Sequence, residues 1–130
     1  VIVLDAGVVI ALFSPGDAHH DRAKALLTEQ PGPFLMHSLT VSETLVAAAR
    51  VGREEELRGA LRDLGVDVAP MGPDEPLVLA RLRARHTLKM PDTCVLAAAV
   101  HHRVPLATFD ARLAAVAEEM SLGLAVPAVD

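Results

Sequence analysis

Along its whole length this chain exchanges short apolar runs for helical patterns, and that alternation constrains its fold more than any other feature. Val1 to Leu4 is a short run rich in β-branched residues that ends at Asp5-Ala6-Gly7. A strand buried on both faces that turns directly into a helix has this signature. The spacing predicts a helix over Val8 to Phe13, interrupted by Ser14-Pro15-Gly16-Asp17, where Asp17 can cap a helix carrying Ala23, Leu26 and Leu27. Pro31-Gly32-Pro33 ends that helix. Phe34 to Met36 reads as a second strand, Thr40 to Val51 as a helix, and Arg53 to Leu64 as an amphipathic helix with Leu57, Leu61 and Leu64 on one face. Val66 to Ala69 is the third strand, and Asp74 can cap the helix that follows. Pro91 to His102 is apolar nearly all round, which places it in the interior or under a partner. Pro105 to Thr108, a helix from Asp110 to Met120, and a strand from Leu122 to Val126 complete the order. Strands separated by helices in this way build an α/β fold with a mainly parallel sheet.

At 130 residues the chain suits a single domain, residues 1–130, with one substantial core. Phe13, Phe34 and Phe109 are its only aromatics of the Phe, Trp and Tyr class. The core must therefore be aliphatic, and base-stacking platforms for single-stranded nucleic acid are not expected. A net charge of −5 argues against the broad basic surface of a passive nucleic-acid binder, though not against a nuclease whose acids are neutralised by metal. Cys94 is the lone cysteine and lies in an apolar run, so a buried thiol and a cytoplasmic location are expected. The apolar start, interrupted by Asp5, is too short to span a bilayer.

Four carboxylates, Asp5, Glu43, Asp92 and Asp110, stand where apolar segments hand over to helices. Each has an ordinary explanation. Thr40-Val41-Ser42-Glu43 is a capping box, and Asp5, Asp92 and Asp110 can cap the helices that follow them. Geometry adds a second meaning, because strand C-termini in an open parallel sheet share one edge and ligands bind where the connections diverge. If the strands before Asp5 and Asp110 are neighbours, their carboxylates face one crevice. A like-charged pair ~4 Å apart costs about 4 kcal/mol at an effective dielectric of 20, so such a cluster needs a cation or a proton. An all-carboxylate site favours Mg²⁺ or Mn²⁺ over zinc. The reaction it serves most naturally is phosphodiester hydrolysis.

Other signals are weaker. His19-His20 and His101-His102 lack the spacing of a helical metal pair and read as surface histidines. His37 near Ser38 and Ser42 forms no nucleophile elbow, and the glycines make neither a dinucleotide fingerprint nor a P-loop. Arg81, Arg83 and Arg85, with Lys89, form a stripe that is a solvated helix face or a contact for RNA phosphates.

The segments Val3-Leu4-Asp5-Ala6-Gly7-Val8-Val9-Ile10-Ala11-Leu12, Ser42-Glu43-Thr44-Leu45, Leu88-Lys89-Met90-Pro91-Asp92 and Leu106-Ala107-Thr108-Phe109-Asp110, in this order and spacing, make the chain resemble PIN-domain ribonucleases, above all VapC-type toxins. That resemblance implies a three-layer sandwich of PIN type. It implies a Mg²⁺- or Mn²⁺-dependent endoribonuclease with Asp5, Glu43, Asp92 and Asp110 as the acidic site and Thr108 hydrogen-bonding within it. It implies a homodimer and a cognate antitoxin that covers or fills the acidic cleft, often with a basic side chain. The chain departs from the pattern at Ala6-Gly7, where many relatives carry a hydroxyl residue and Asn, and at Ala111-Arg112, where a further acid is sometimes found. Two rivals belong to other classes: a receiver-type phospho-acceptor domain, and a non-catalytic interaction domain whose acids only cap helices.

Overall fold

The computed structural model describes residues 1–126; the last four residues of the expected domain lie outside them. Five strands, β1 (Ile2–Leu4), β2 (Phe34–Met36), β3 (Val66–Val68), β4 (Leu106–Ala107) and β5 (Leu124–Val126), form one sheet in the order β3-β2-β1-β4-β5. Every pairing is parallel, with Ile2 opposite Phe34, Val3 opposite Leu106, and Phe34 opposite Val66. Between β4 and β5 the register slips, Leu106 facing Leu124 but Ala107 facing Val126. The helices are α1 (Ala6–Leu12), α2 (His20–Glu29), α3 (Ser38–Ala49), α4 (Glu54–Asp63), α5 (Glu75–Arg85), α6 (Met90–His102) and α7 (Ala111–Glu119).

Side chains alternate across a strand, so each strand feeds two cores. Ile2, Leu4, Phe34, Met36 and Ala107 point to one face, where they pack with Val8, Val9 and Ala11 of α1, Ala23 and Leu26 of α2, and Leu61 of α4. Val3 and Leu106 point to the other, against Leu82 of α5, a continuous stretch of α6 and Leu113, Val116 and Ala117 of α7. The result is the expected three-layer α/β sandwich. Helix α6 is its most enclosed element: every residue from Thr93 to Ala99 is buried, and Ala97, Ala98 and Ala99 are wholly so. Its apolar circumference fits this place between the sheet and its neighbours, and Cys94 is a buried free thiol as expected. Among the described residues no helix is long and apolar enough to cross a membrane.

Helix starts differ from the sequence reading in an instructive way. Helix α1 begins at Ala6 rather than Val8, because the Asp5 side chain accepts from the Ala6 amide and starts the helix at once. Asp17 does not cap α2; it accepts from the His19 amide in the preceding turn, and His19 takes the N-cap position. Helix α3 begins at Ser38, two residues before the expected Thr40, because His37 Nδ1 accepts from the Leu39 amide. Asp74 occupies the N-cap position of α5 without a side-chain capping bond. After α4, Gly65 takes φ +82°, a left-handed conformation that glycine adopts without strain, and the chain drops into β3.

The depth of α6 sets a clear expectation for stability. Leu96→Ala, at a fully buried position, should lower unfolding free energy by about 3 kcal/mol, read as a lower midpoint at unchanged slope in urea titration.

Candidate active site

The chain runs from β1 outward through β2 to β3, then crosses back to place β4 on the other side of β1 and β5 beyond it. The connections therefore diverge between β1 and β4, the point at which open parallel sheets bind ligands. Asp5 follows β1 and Thr108 follows β4, and a hydrogen bond joins them: Thr108 Oγ1 donates to Asp5 Oδ2 at 2.8 Å. The same hydroxyl accepts from the Asp110 amide at 3.0 Å. The sheet order also excludes a receiver-type domain, whose order is 2-1-3-4-5.

Asp5 and Asp110 are both helix caps. Asp5 Oδ1 accepts from the Ala6 amide at 2.8 Å, and Asp110 Oδ1 accepts from the Arg112 and Leu113 amides, each at 2.9 Å. In each case one carboxylate oxygen holds the helix start, and Asp110 keeps its second oxygen free of any hydrogen bond within the described residues. Glu43 and Asp92, in contrast, are not caps. With α3 beginning at Ser38, Glu43 lies well inside the helix, too far along to reach back to a free amide, so the expected capping box does not form. Asp92 sits in the first turn of α6, whose N-cap is Lys89, and its side chain makes no capping bond. Neither carboxylate has a hydrogen bond or ion pair within the described residues.

The four acids feel one another. Burial pushes the Asp5 carboxyl above its ordinary range; the bonds from Thr108 and Ala6 oppose this, while Asp110 and Glu43 add to it. Asp92 is also raised, first by burial and then by the charges of Asp5 and Asp110, with Lys89 and Arg112 pulling the other way. Among the described residues no three His, Cys, Asp or Glu side chains form a ready-made cation cage. The donor set nonetheless fits a hard cation. It is all oxygen, two of its carboxylates are unpartnered, and Mg²⁺ keeps its waters and takes only one or two protein carboxylates together with substrate phosphate. Asp5, Asp92 and Asp110, with Glu43 beside Asp5, are the residues that could hold it.

Of the basic residues singled out in the sequence, Lys89 borders the acids, since its charge acts on Asp92. Arg81 and Arg85 are exposed on α5 and, among the described residues, form no ion pair with the acids. Arg112 was missed: it had been noted only as the absence of a further acid, yet its position in the first turn after Asp110 puts a cation beside Asp92. His37 was also missed. Its Nδ1 accepts from Leu39, so Nε2 carries the proton and donates to Glu75 Oε1 at 2.5 Å, tying the start of α3 to the start of α5. Glu75 and Glu43 both add to the burial that raises the Cys94 thiol, which places this tie near the cleft.

The sequence matches the PIN domain family over residues 2–119. The chain belongs to the PIN domain family. Its structure is similar to one described as a toxin-antitoxin complex from Klebsiella pneumoniae, with 28% identity, TM-score 0.73, and coverage of 86% of this chain and 88% of that one. It also shares its fold with VapC20 of Mycobacterium tuberculosis, described as a sarcin-ricin loop cleaving toxin, at 22% identity and TM-score 0.72, covering 89% of this chain and 95% of that one. No curated protein sequence matches the chain.

Crowded acids predict a stability signature. A carboxyl whose folded pKa is raised carries no penalty below its unfolded value near 3.8. The penalty grows as pH rises through the folded pKa and is full above it. Asp92→Asn should therefore raise the melting temperature of the metal-free protein at neutral pH by roughly 2 °C, with the gain vanishing in acid below the ordinary carboxylate range. Scanning calorimetry in the presence of a chelator, at both pH values, checks this.

Proposed function

We propose that the chain is a divalent-metal-dependent endoribonuclease and the toxin of a VapBC-type toxin-antitoxin pair. The observation that carries this reading is the electrostatic influence that Asp5, Asp92, Asp110 and Glu43 exert on one another beside the divergence point of a PIN-family sheet, two of them with no hydrogen bond or ion pair among the described residues. Asp5 and Asp92 hold the principal cation, Mg²⁺ or Mn²⁺; Asp110 completes its shell, and Glu43 orients the attacking water or a second cation. Such a cation supplies Lewis acidity toward a phosphodiester and makes water more acidic. Thr108 keeps Asp5 aimed, since its donated hydrogen bond fixes Oδ2 and favours the ionised carboxylate. Lys89 and Arg112 temper the repulsion that an incoming phosphate meets, and Arg81 and Arg85 offer further contacts along the RNA backbone.

Partners follow from the same reading. A cytoplasmic antitoxin would silence the cleft most directly with a basic side chain set among the acids, and the toxin would act as a homodimer. The likeness to a toxin-antitoxin complex supports the antitoxin; the homodimer rests on family resemblance. A second reading, a non-catalytic interaction domain, is favoured by the capping bonds of Asp5 and Asp110. Isothermal calorimetry separates the two, because an interaction domain would take up neither Mg²⁺ nor Mn²⁺.

Asp5→Asn should keep the fold, since the amide still caps α1, and lower Mg²⁺-dependent cleavage of single-stranded RNA by at least about 100-fold, an effect typical of losing a transition-state contact. Cleavage at the wild-type rate would refute the assignment. Chelator should abolish the wild-type activity and Mn²⁺ should restore it.

A further inference from the structure

Two features set aside in the sequence, the His19-His20 pair and the scarcity of aromatic stacking, meet in the structure at the edge of the acidic cleft. Phe109 stands between Thr108 and Asp110, so its backbone is fixed by the hydroxyl that also binds Asp5. Its ring lies against the imidazole of His19, with centroids 4.5 Å apart and planes inclined by 21°. The guanidinium carbon of Arg22 stands over the same ring, 5.4 Å from its centroid. These are the ranges of aromatic stacking and of cation–π attraction.

The two histidines of the pair are used differently. His20 Nδ1 is spent on the Ala11 carbonyl at 2.9 Å. His19 is held through its backbone, whose amide donates to Asp17 Oδ1, and its imidazole makes no hydrogen bond within the described residues. His19 and Phe109 are half-buried and Arg22 is exposed. The imidazole thus has a second face, turned away from Phe109, and the Arg22 guanidinium brings a cation to the same ring.

We propose that His19, Phe109 and Arg22 form a nucleobase-binding subsite, on which an unpaired base of the RNA substrate stacks next to the acidic cleft. This deepens the ribonuclease reading and rests on it. Unpaired RNA bases are held by stacking on Phe, His and Arg planes, and stacking tolerates any base because each has a π-face. Position makes the stack useful. Phe109 adjoins Asp110 in the chain, so a base seated on this stack brings its own phosphodiester toward the carboxylates. The cationic plane also matters on a chain of net charge −5, whose acids repel the RNA backbone.

The test uses short single-stranded RNA oligonucleotides of mixed sequence. Binding is followed by fluorescence anisotropy in an Asp92→Asn background, cleavage in the otherwise wild-type chain, and Mg²⁺ uptake by calorimetry. His19→Ala should weaken RNA binding about tenfold and raise KM by a similar factor, with kcat and Mg²⁺ affinity little changed. His19→Phe, which restores a stacking ring, should recover most of the loss. Wild-type binding and KM in a folded His19→Ala variant would overturn the subsite. So would an equal loss in His19→Phe, or a parallel fall in Mg²⁺ affinity, which would mean that the stack only braces the Asp110 turn. Failure of the wild-type chain to bind or cleave any RNA would bring down the ribonuclease reading, and the subsite with it.

Discussion

The hydroxyl of Thr108 is the smallest part on which the rest of this arrangement depends. It donates to Asp5 at the end of β1 and accepts from the amide of Asp110 after β4, so one oxygen joins two neighbouring strands at their shared edge. Thr108 is wholly buried, and a buried hydroxyl left without partners is costly. The bond therefore serves the fold as well as the site. Because Asp5 also starts α1 and Asp110 starts α7, the same oxygen fixes the departure of two helices, one toward each face of the sheet.

Around that hydroxyl the molecule accepts an unfavourable arrangement. Burial and like charge raise both Asp5 and Asp92, opposed at Asp5 by the hydrogen bonds from Thr108 and Ala6 and at Asp92 by the charges of Lys89 and Arg112. Such conflicts between local stability and global placement concentrate at functional sites. The surroundings are rigid enough to sustain it. Aliphatic cores lie on both faces of the sheet, α6 is sealed along its middle, and the pair between His37 and Glu75 pins the starts of α3 and α5.

Much of the fold was readable because short β-branched runs and helical spacing are local signals. The strand from Phe34 to Met36 appears as expected, and the apolar circumference of α6 correctly foretold its burial. Errors gathered at helix starts, where several polar residues compete for the same free amides. Histidine is not among the favoured capping residues, so the sequence carries a capping signal at Thr40 to Glu43 and none at His37, while in the structure a correctly oriented imidazole begins the helix two residues earlier. That shift removes the capping role expected of Glu43, and Asp92 makes no capping bond either, whereas Asp5 and Asp110 cap their helices as expected. Contacts across the fold, such as Arg112 beside Asp92 or His19 on Phe109, leave no periodic trace and could not be read from one chain.

The run of wholly buried alanines in α6 bears on more than packing. Asp92 rides on this helix, while Glu43 rides on α3 and Asp5 and Asp110 are anchored at the sheet edge, so the cleft is assembled from parts in different layers. The methyl groups of Ala97, Ala98 and Ala99, which successive helix positions turn in different directions, act as shims that set how near α6 lies to the sheet and the helices around it. A thicker side chain there would lift the helix and carry Asp92 with it, so that the spacing of the carboxylates is gauged, at a distance, by the smallest side chains in the core.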